Sequence, residues 1–204
     1  MSGRRSWHIL LIGGASGVGK TQISYPLARH FGVVITEIDD FQVVLERMTT
    51  PEQYPVVHQF RTDPDSFFAL DDEGKLGTAI AYSTVMAEAL EVVVANHLDG
   101  GPPIVLEGDF LLPSVAVKDT CAGIPAAGRV RAFILYEDEE QIARNYLARE
   151  GEPQPDRARW SWNHSEWLRA EAGRLGVPTL AARPWDTVFE RALALLGDGD
   201  DPSR

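Results

Sequence analysis

The 204-residue sequence predicts a single α/β domain, a parallel sheet covered by helices on both faces. Three observations carry that reading. Short apolar runs alternate with longer helical stretches, the first apolar run ends directly in Gly13-Gly14, and no internal repeat, linker or shift in composition divides the chain.

Trp7 to Ile12 is apolar throughout, which suits a strand buried on both sides better than one with a wet face. A helix is expected from about Gly19 to Phe31, with Pro26 inside it removing one backbone donor and kinking it. Val33 to Ile38 reads as the second strand, closed by Asp39-Asp40. Phe41 to Met48 reads as a short helix with Phe41, Val44, Leu45 and Met48 on one face. Thr49 to Lys75 has no clear period: Pro51, Pro55 and Pro64 interrupt it, and Asp71-Asp72-Glu73-Gly74 reads as an acidic turn. Leu76 to His97 is a long helix, and Ile104 to Leu106 and Val130 to Leu135 are the third and fourth strands. Asp138 is placed to cap a helix through Ile142, Tyr146 and Leu147 to Glu150. Gly151 to Arg159 reads as a polar loop and Ser165 to Leu175 as a helix. Pro178 to Ala181 is a fifth strand, Thr187 to Leu196 a last helix, and Gly197 to Arg204 a frayed acidic tail.

Composition narrows the function classes. Hydrophobic residues make up 44% and charged residues 24%, ordinary values for a globular chain. One cysteine, Cys121, excludes an internal disulfide framework, and no Cys/His spacing suggests zinc, so a reducing, cytoplasmic setting is expected. The apolar run after Arg4-Arg5 lacks a small-residue cleavage site, and no apolar run approaches bilayer-spanning length, so neither a signal peptide nor a membrane partner is expected. A net charge of −11 opposes broad attraction to nucleic acid. Three lysines (Lys20, Lys75, Lys118) stand against sixteen arginines, which reads as a coding bias; a cationic substrate is a second way to account for the acidity.

The strongest motif is Gly14-Ala15-Ser16-Gly17-Val18-Gly19-Lys20-Thr21, which satisfies G-x4-G-K-[ST] between a strand and a helix. Glycines let backbone N–H groups turn toward phosphates, and the helix beginning near Gly19 points its positive end at them. Lys20 is placed to reach the β and γ phosphates and the Thr21 hydroxyl to ligate Mg²⁺, with Gln22 next in line; ATP and Mg²⁺ are the implied cofactors. The fold class sharpens accordingly to a P-loop NTPase three-layer sandwich with a five-stranded parallel sheet and a helical lid. No N-K-x-D segment of the guanine-reading kind is present, and the chain is short for a motor ATPase.

The segments GGASGVGKT, EIDDF and IVLEGDFLLP, in this order, resemble the small-molecule kinases of the nucleoside-monophosphate-kinase-like group. They look most like 2-phosphoglycerate kinases, with chloramphenicol phosphotransferase and shikimate kinase as more distant relatives. None of the three segments specifies the acceptor. The resemblance implies a small-molecule hydroxyl substrate and puts Asp39 where such kinases often face it with a carboxylate, able to take or orient the hydroxyl proton. The alternative is that Asp39 and Asp40 only cap the following helix. Glu107 matches the acid after the third strand and could hold Mg²⁺ through water, whereas Asp109 stands where that pattern is usually uncharged. Lid arginines are implied among Arg144, Arg149, Arg157 and Arg159, Arg149 first and Arg144 second, against the reading that they pair with Glu139, Glu140 or Glu150. Arg183-Pro184-Trp185 lies where related folds contact the base, which makes Arg183 a nucleotide-binding candidate. Tyr54, His58, Arg61 and Asp63 offer polar chemistry for a substrate segment. Trp160, Trp162 and Trp167 read as lid packing or as stacking surfaces, and His164 has no evident partner.

Three readings result: an ATP-dependent small-molecule kinase, a nucleotide-binding regulatory module without transfer activity, and a zeta-toxin-like or polynucleotide kinase. The acidity and the lack of a basic stripe with interleaved aromatics weigh against the third.

Overall fold

The structure is a computed structural model and describes residues 5–197. The expected acidic tail beyond Gly197 lies outside the described residues. The elements run β1 (Ile9–Gly13), α1 (Lys20–Phe31), β2 (Val34–Glu37), α2 (Asp39–Met48), α3 (Pro55–Thr62), α4 (Pro64–Phe68) and α5 (Asp72–Leu98). They continue with β3 (Ile104–Gly108), a 3₁₀ turn (Pro113–Val117), the short ribbon β4 (Thr120–Cys121) and β5 (Ile124–Pro125), and β6 (Val130–Tyr136). The last part is α6 (Glu139–Glu150), α7 (Pro155–Leu175), β7 (Thr179–Ala181), a 3₁₀ turn (Trp185–Thr187) and α8 (Val188–Leu196). The main sheet has the order β2-β3-β1-β6-β7, with every neighbouring pair parallel.

The apolar strands are buried on both faces because each face feeds a separate core. Leu10, Ile12, Val105, Phe133 and Leu135 pack with Ile23, Leu27 and Phe31 of α1 and with Ala192 of α8. The alternate residues Ile9, Leu11, Ile104, Leu106 and Ile134 pack with Leu90 and Val94 of α5 and with Leu168 and Ala172 of α7. The period of two along each strand thus builds a three-layer sandwich. A satellite core of Val57, Tyr82 and Met86 sits under α2 and α3.

Several boundaries differ from the sequence reading. The stretch expected to be irregular holds α3 and α4, each with a proline in its first turn, where a missing N–H costs nothing. The acidic turn is the start of α5: Asp71 accepts a hydrogen bond from the Gly74 N–H at 2.8 Å, and Asp72 and Glu73 sit at the positive end of the helix. The polar loop expected to reach Arg159 ends at Gln154, and α7 runs from Pro155. Helix α1 continues through Pro26, whose exposed position leaves the carbonyl it cannot serve to water. The 27-residue α5 is long and apolar enough to cross a membrane by length and composition, which corrects the expectation that no run approached that length; residues such as Leu90, Val94 and Leu98 are buried inside the protein.

At the carboxyl end of β3, Gly108 lies so close to Ile38 that an added methyl would fall well inside van der Waals contact with its side chain. Ile38 is itself 1% exposed and cannot move away. Gly108→Ala is therefore expected to lose about 1–3 kcal/mol in urea unfolding, and Ile38→Ala in the same chain should return part of that loss rather than add to it.

Candidate active site

Strand order reverses between β1 and β3, and in a parallel sheet the crevice at that switch point lies beyond the carboxyl ends of the strands. A cleft of about 660 Å³ opens there, lined by Ser16 to Gln22 of the glycine loop, by Glu37, Asp39, Glu107 and Asp109, and by Glu137, Arg149, Arg183 and Trp185. The parallel register sets Ile12 beside Glu107 and Gly13 beside Gly108, so the loop after β1 and the acids after β3 leave the sheet together.

The loop has a phosphate cradle's geometry. Gly19 takes φ +95°, and a Cβ there would stand 2.9 Å from the ring of Trp185, so only glycine fits beneath that indole. No side chain caps α1, which leaves its first N–H groups for the cleft. Two residues without a recognisable sequence signal brace the loop from behind: Asn145 of α6 donates to the Gly17 carbonyl at 2.7 Å, and the Ser161 hydroxyl of α7 donates to the Ser16 carbonyl. Glu137 was also missed. It directly follows β6 as a buried carboxylate, accepts from the Asp138 N–H at 3.1 Å and pairs with Arg183 at 3.2 Å. Its place at a strand's carboxyl end was the available signal.

Lys20 is buried, donates to the Ala15 carbonyl at 3.0 Å, and forms an ion pair with Asp109. Asp109, which the sequence pattern left without a role, is the partner of the loop lysine. The Thr21 hydroxyl donates to Glu107 Oε1 at 2.8 Å. Glu107 is 2% exposed; burial lifts its carboxyl above the usual carboxylate range, with Lys20 and the Thr21 hydroxyl pulling the other way. Asp39 also lines the cleft and is exposed, yet the protein packed around it and the charge of Asp109 raise its carboxyl too, against the pull of Lys20. It is also the first residue of α2, and no side-chain cap is made there, so position rather than capping distinguishes it.

The other candidates separate. Arg149 and Arg183 line the cleft, Arg149 tied to Glu150 at 2.8 Å and lying over the Tyr146 ring. Arg144 stands on the exposed side of α6, held by Glu140 and Gln141, and is not among the cleft residues. Arg157 pairs with Glu150, and Arg159 with Asp72. His58 is buried and bonded to the Thr49 hydroxyl at 3.0 Å, Asp63 caps α4, and Arg61 is exposed. Trp162 and Trp167 pack against the two cores. His164 is 1% exposed, and its Nε2 has no hydrogen-bond partner among the described residues.

No model of a known protein family matches the chain. The chain has the fold of the P-loop NTPases. Among solved structures it is similar over 95% of its length to a gluconokinase from Sinorhizobium meliloti 1021 (TM-score 0.53, 19% identity, 94% of that chain). It is equally similar over 95% of its length to a sugar kinase from Janibacter sp. HTCC2649 (0.55, 20%, 96% of that chain). A shikimate kinase from Acinetobacter baumannii matches 96% of each chain (0.56, 12%). Among curated sequences it is 30% identical over 138 residues to a tRNA dimethylallyltransferase from Syntrophobacter fumaroxidans, covering 64% of this chain and 37% of that one. It is 26% identical over 151 residues to a 2-phosphoglycerate kinase from Methanopyrus kandleri, covering 69% and 43%. The chain thus spans less than half the length of these curated relatives.

Two outcomes test the electrostatics. Glu107→Gln keeps an acceptor for Thr21 but removes a buried charge, so it should raise the urea midpoint at neutral pH. Burial pushes His164 down to about 4, with Asp109 raising it and Lys20 lowering it. Between about pH 6.5 and 4 the unfolded chain therefore takes up a proton that the folded chain refuses, and stability falls as pH falls through that window. The loss should reach about 3 kcal/mol, and unfolding of His164→Leu at pH 7 and 4.5 should show it removed relative to the unaltered chain.

Proposed function

We propose that the chain is an ATP-dependent kinase that transfers the γ-phosphoryl group to a hydroxyl of a small molecule in a cytoplasmic setting. The observation that supports this best is one cleft lined by the glycine loop, its buried lysine and the carboxylate of Asp39. The acceptor oxygen forms a bond to the γ-phosphorus while the bond from that phosphorus to the β–γ bridging oxygen breaks. The hydroxyl proton passes to Asp39, and ADP leaves.

The loop amides and Lys20 cradle the phosphates, Arg149 and Arg183 add positive charge from the lid side, and Trp185 borders the nucleotide beside Gly19. Thr21 and Glu107 are the residues that would hold Mg²⁺. Among the described residues no group of three or more His, Cys, Asp or Glu forms a protein cage for a metal. One hydroxyl beside one buried acid suits an ion that completes its shell with phosphate oxygens and water, and that ion would supply charge neutralisation. A polynucleotide acceptor, the class named for the dimethylallyltransferase relative, is disfavoured by the net charge of −11.

Asp39→Asn tests the reading. ADP release with an accepted hydroxyl compound should fall about 10²–10⁴-fold, while calorimetric affinity for MgATP stays within about threefold of the unaltered chain. Equal losses of both would assign Asp39 a structural role, and no heat from MgATP with the unaltered protein would overturn the kinase reading itself.

A further inference from the structure

Two successive peptide units of the glycine loop are each held by their oxygen. The Gly17 carbonyl accepts from Asn145 Nδ2 of α6 at 2.7 Å, and the Ser16 carbonyl accepts from the Ser161 hydroxyl of α7. A trans peptide is planar, and its C=O and the N–H of the next residue point opposite ways. Fixing the Ser16 oxygen therefore fixes the direction of the Gly17 N–H, and fixing the Gly17 oxygen fixes that of the Val18 N–H. Among the described residues neither N–H donates to a backbone carbonyl, and both residues line the cleft. The other side of the loop is closed. Gly17 takes φ +82°, and a Cβ on it would stand 3.2 Å from Ile142 and 3.4 Å from Tyr146, buried residues of α6 on either side of Asn145.

The Asn145 amide has its orientation imposed by its neighbours. Arg144 can only donate, and its Nε and Nη2 give hydrogen bonds to Gln141 Oε1 at 3.1 and 2.8 Å. The nitrogen of Gln141 is left to face Asn145, and it donates to Asn145 Oδ1 at 2.8 Å. Asn145 then has its own nitrogen for Gly17, whose carbonyl can only accept. Helical spacing makes this chain possible, with Gln141 four residues before Asn145 and three before Arg144. Glu140 pairs with Arg144 at the outer end.

We propose that Asn145 and Ser161 are positioning residues for the phosphates, aiming the Val18 and Gly17 N–H groups into the cleft, and that Arg144 and Gln141 set the Asn145 amide for that task. The inference rests on the kinase reading and adds to it the side chains that keep the cradle in shape. Donors already aimed need no reorganisation when charge develops on the transferring group. Arg144, which stands outside the cleft, thereby acts on the loop through two amides. Ser161 separates positioning from contact. It is 1% exposed and is not among the cleft residues, so a change there reaches a bound phosphate through the Ser16 peptide.

The test uses the full chain with MgATP and with magnesium tripolyphosphate, which offers phosphates without a base or ribose. In calorimetry Ser161→Ala and Asn145→Ala should each weaken binding by about three- to tenfold, with the same factor for both ligands. Gln141→Leu should weaken both by a smaller factor and add nothing in the Asn145→Ala background, because it acts through that amide. Gln141 is half-exposed on α6, so this cycle decides the matter even if Ser161→Ala does not fold. In the ligand-free protein the Val18 amide resonance should move in Asn145→Ala and the Gly17 resonance in Ser161→Ala, which a general loss of stability would not produce. Three results would each overturn the inference and leave the kinase reading in place: a folded Ser161→Ala with unchanged affinity, a loss seen with MgATP but not with tripolyphosphate, or a Gln141→Leu effect that persists in Asn145→Ala. An unaltered chain that binds neither ligand would overturn the kinase reading and this inference with it.

Discussion

The site depends on one constraint, the burial of β1 on both faces in register with β3. A strand covered on both sides cannot slip by one residue without turning each core's side chains into the other. Its fixed register carries Gly13 and Gly108 to the same edge. The turn after β1 is therefore presented to the acids after β3 at a separation the sheet sets. Gly108 governs the β2 side of β3 as well, because the segment after β2 can bring Ile38 this close only where no side chain intervenes.

Within that frame the cleft is an arrangement of excess negative charge around one buried lysine. Lys20 is held by a backbone carbonyl and by Asp109, and Asp39, Glu107 and Glu37 stand nearby. Burial and mutual repulsion make the ionised forms of Asp39 and Glu107 unfavourable. Such an arrangement costs stability, as clustered like charges in a partly buried cleft do. The arginines that could offset the excess, Arg149 and Arg183, are engaged by Glu150 and Glu137.

Much of this was legible in the sequence because it rests on local signals. The five strands, the glycine loop and the cleft positions of Asp39 and Glu107 follow from apolar runs and from the rule that strand ends border the crevice. The prolines misled, because in the stretch from Thr49 to Lys75 a proline that opens a helix looks the same as one that breaks it. Pro55, Pro64 and Pro155 all sit in first turns. Asn145, Ser161 and the Asp109–Lys20 pair were beyond reach, since each joins residues far apart in the chain with nothing local to mark it.

The early start of α7 has a mechanical consequence. Trp160 and Ser161 are neighbours on one continuous helix, the first in contact with Phe67 and His164 and the second hydrogen-bonded to the loop at Ser16. A rod 21 residues long and anchored in the core through Leu168 and Ala172 behaves as a lever with a fixed fulcrum. The glycine loop at Ser16 and the aromatic cluster around Trp160 thus share one support, and a change in the seating of the first turns of α7 reaches both.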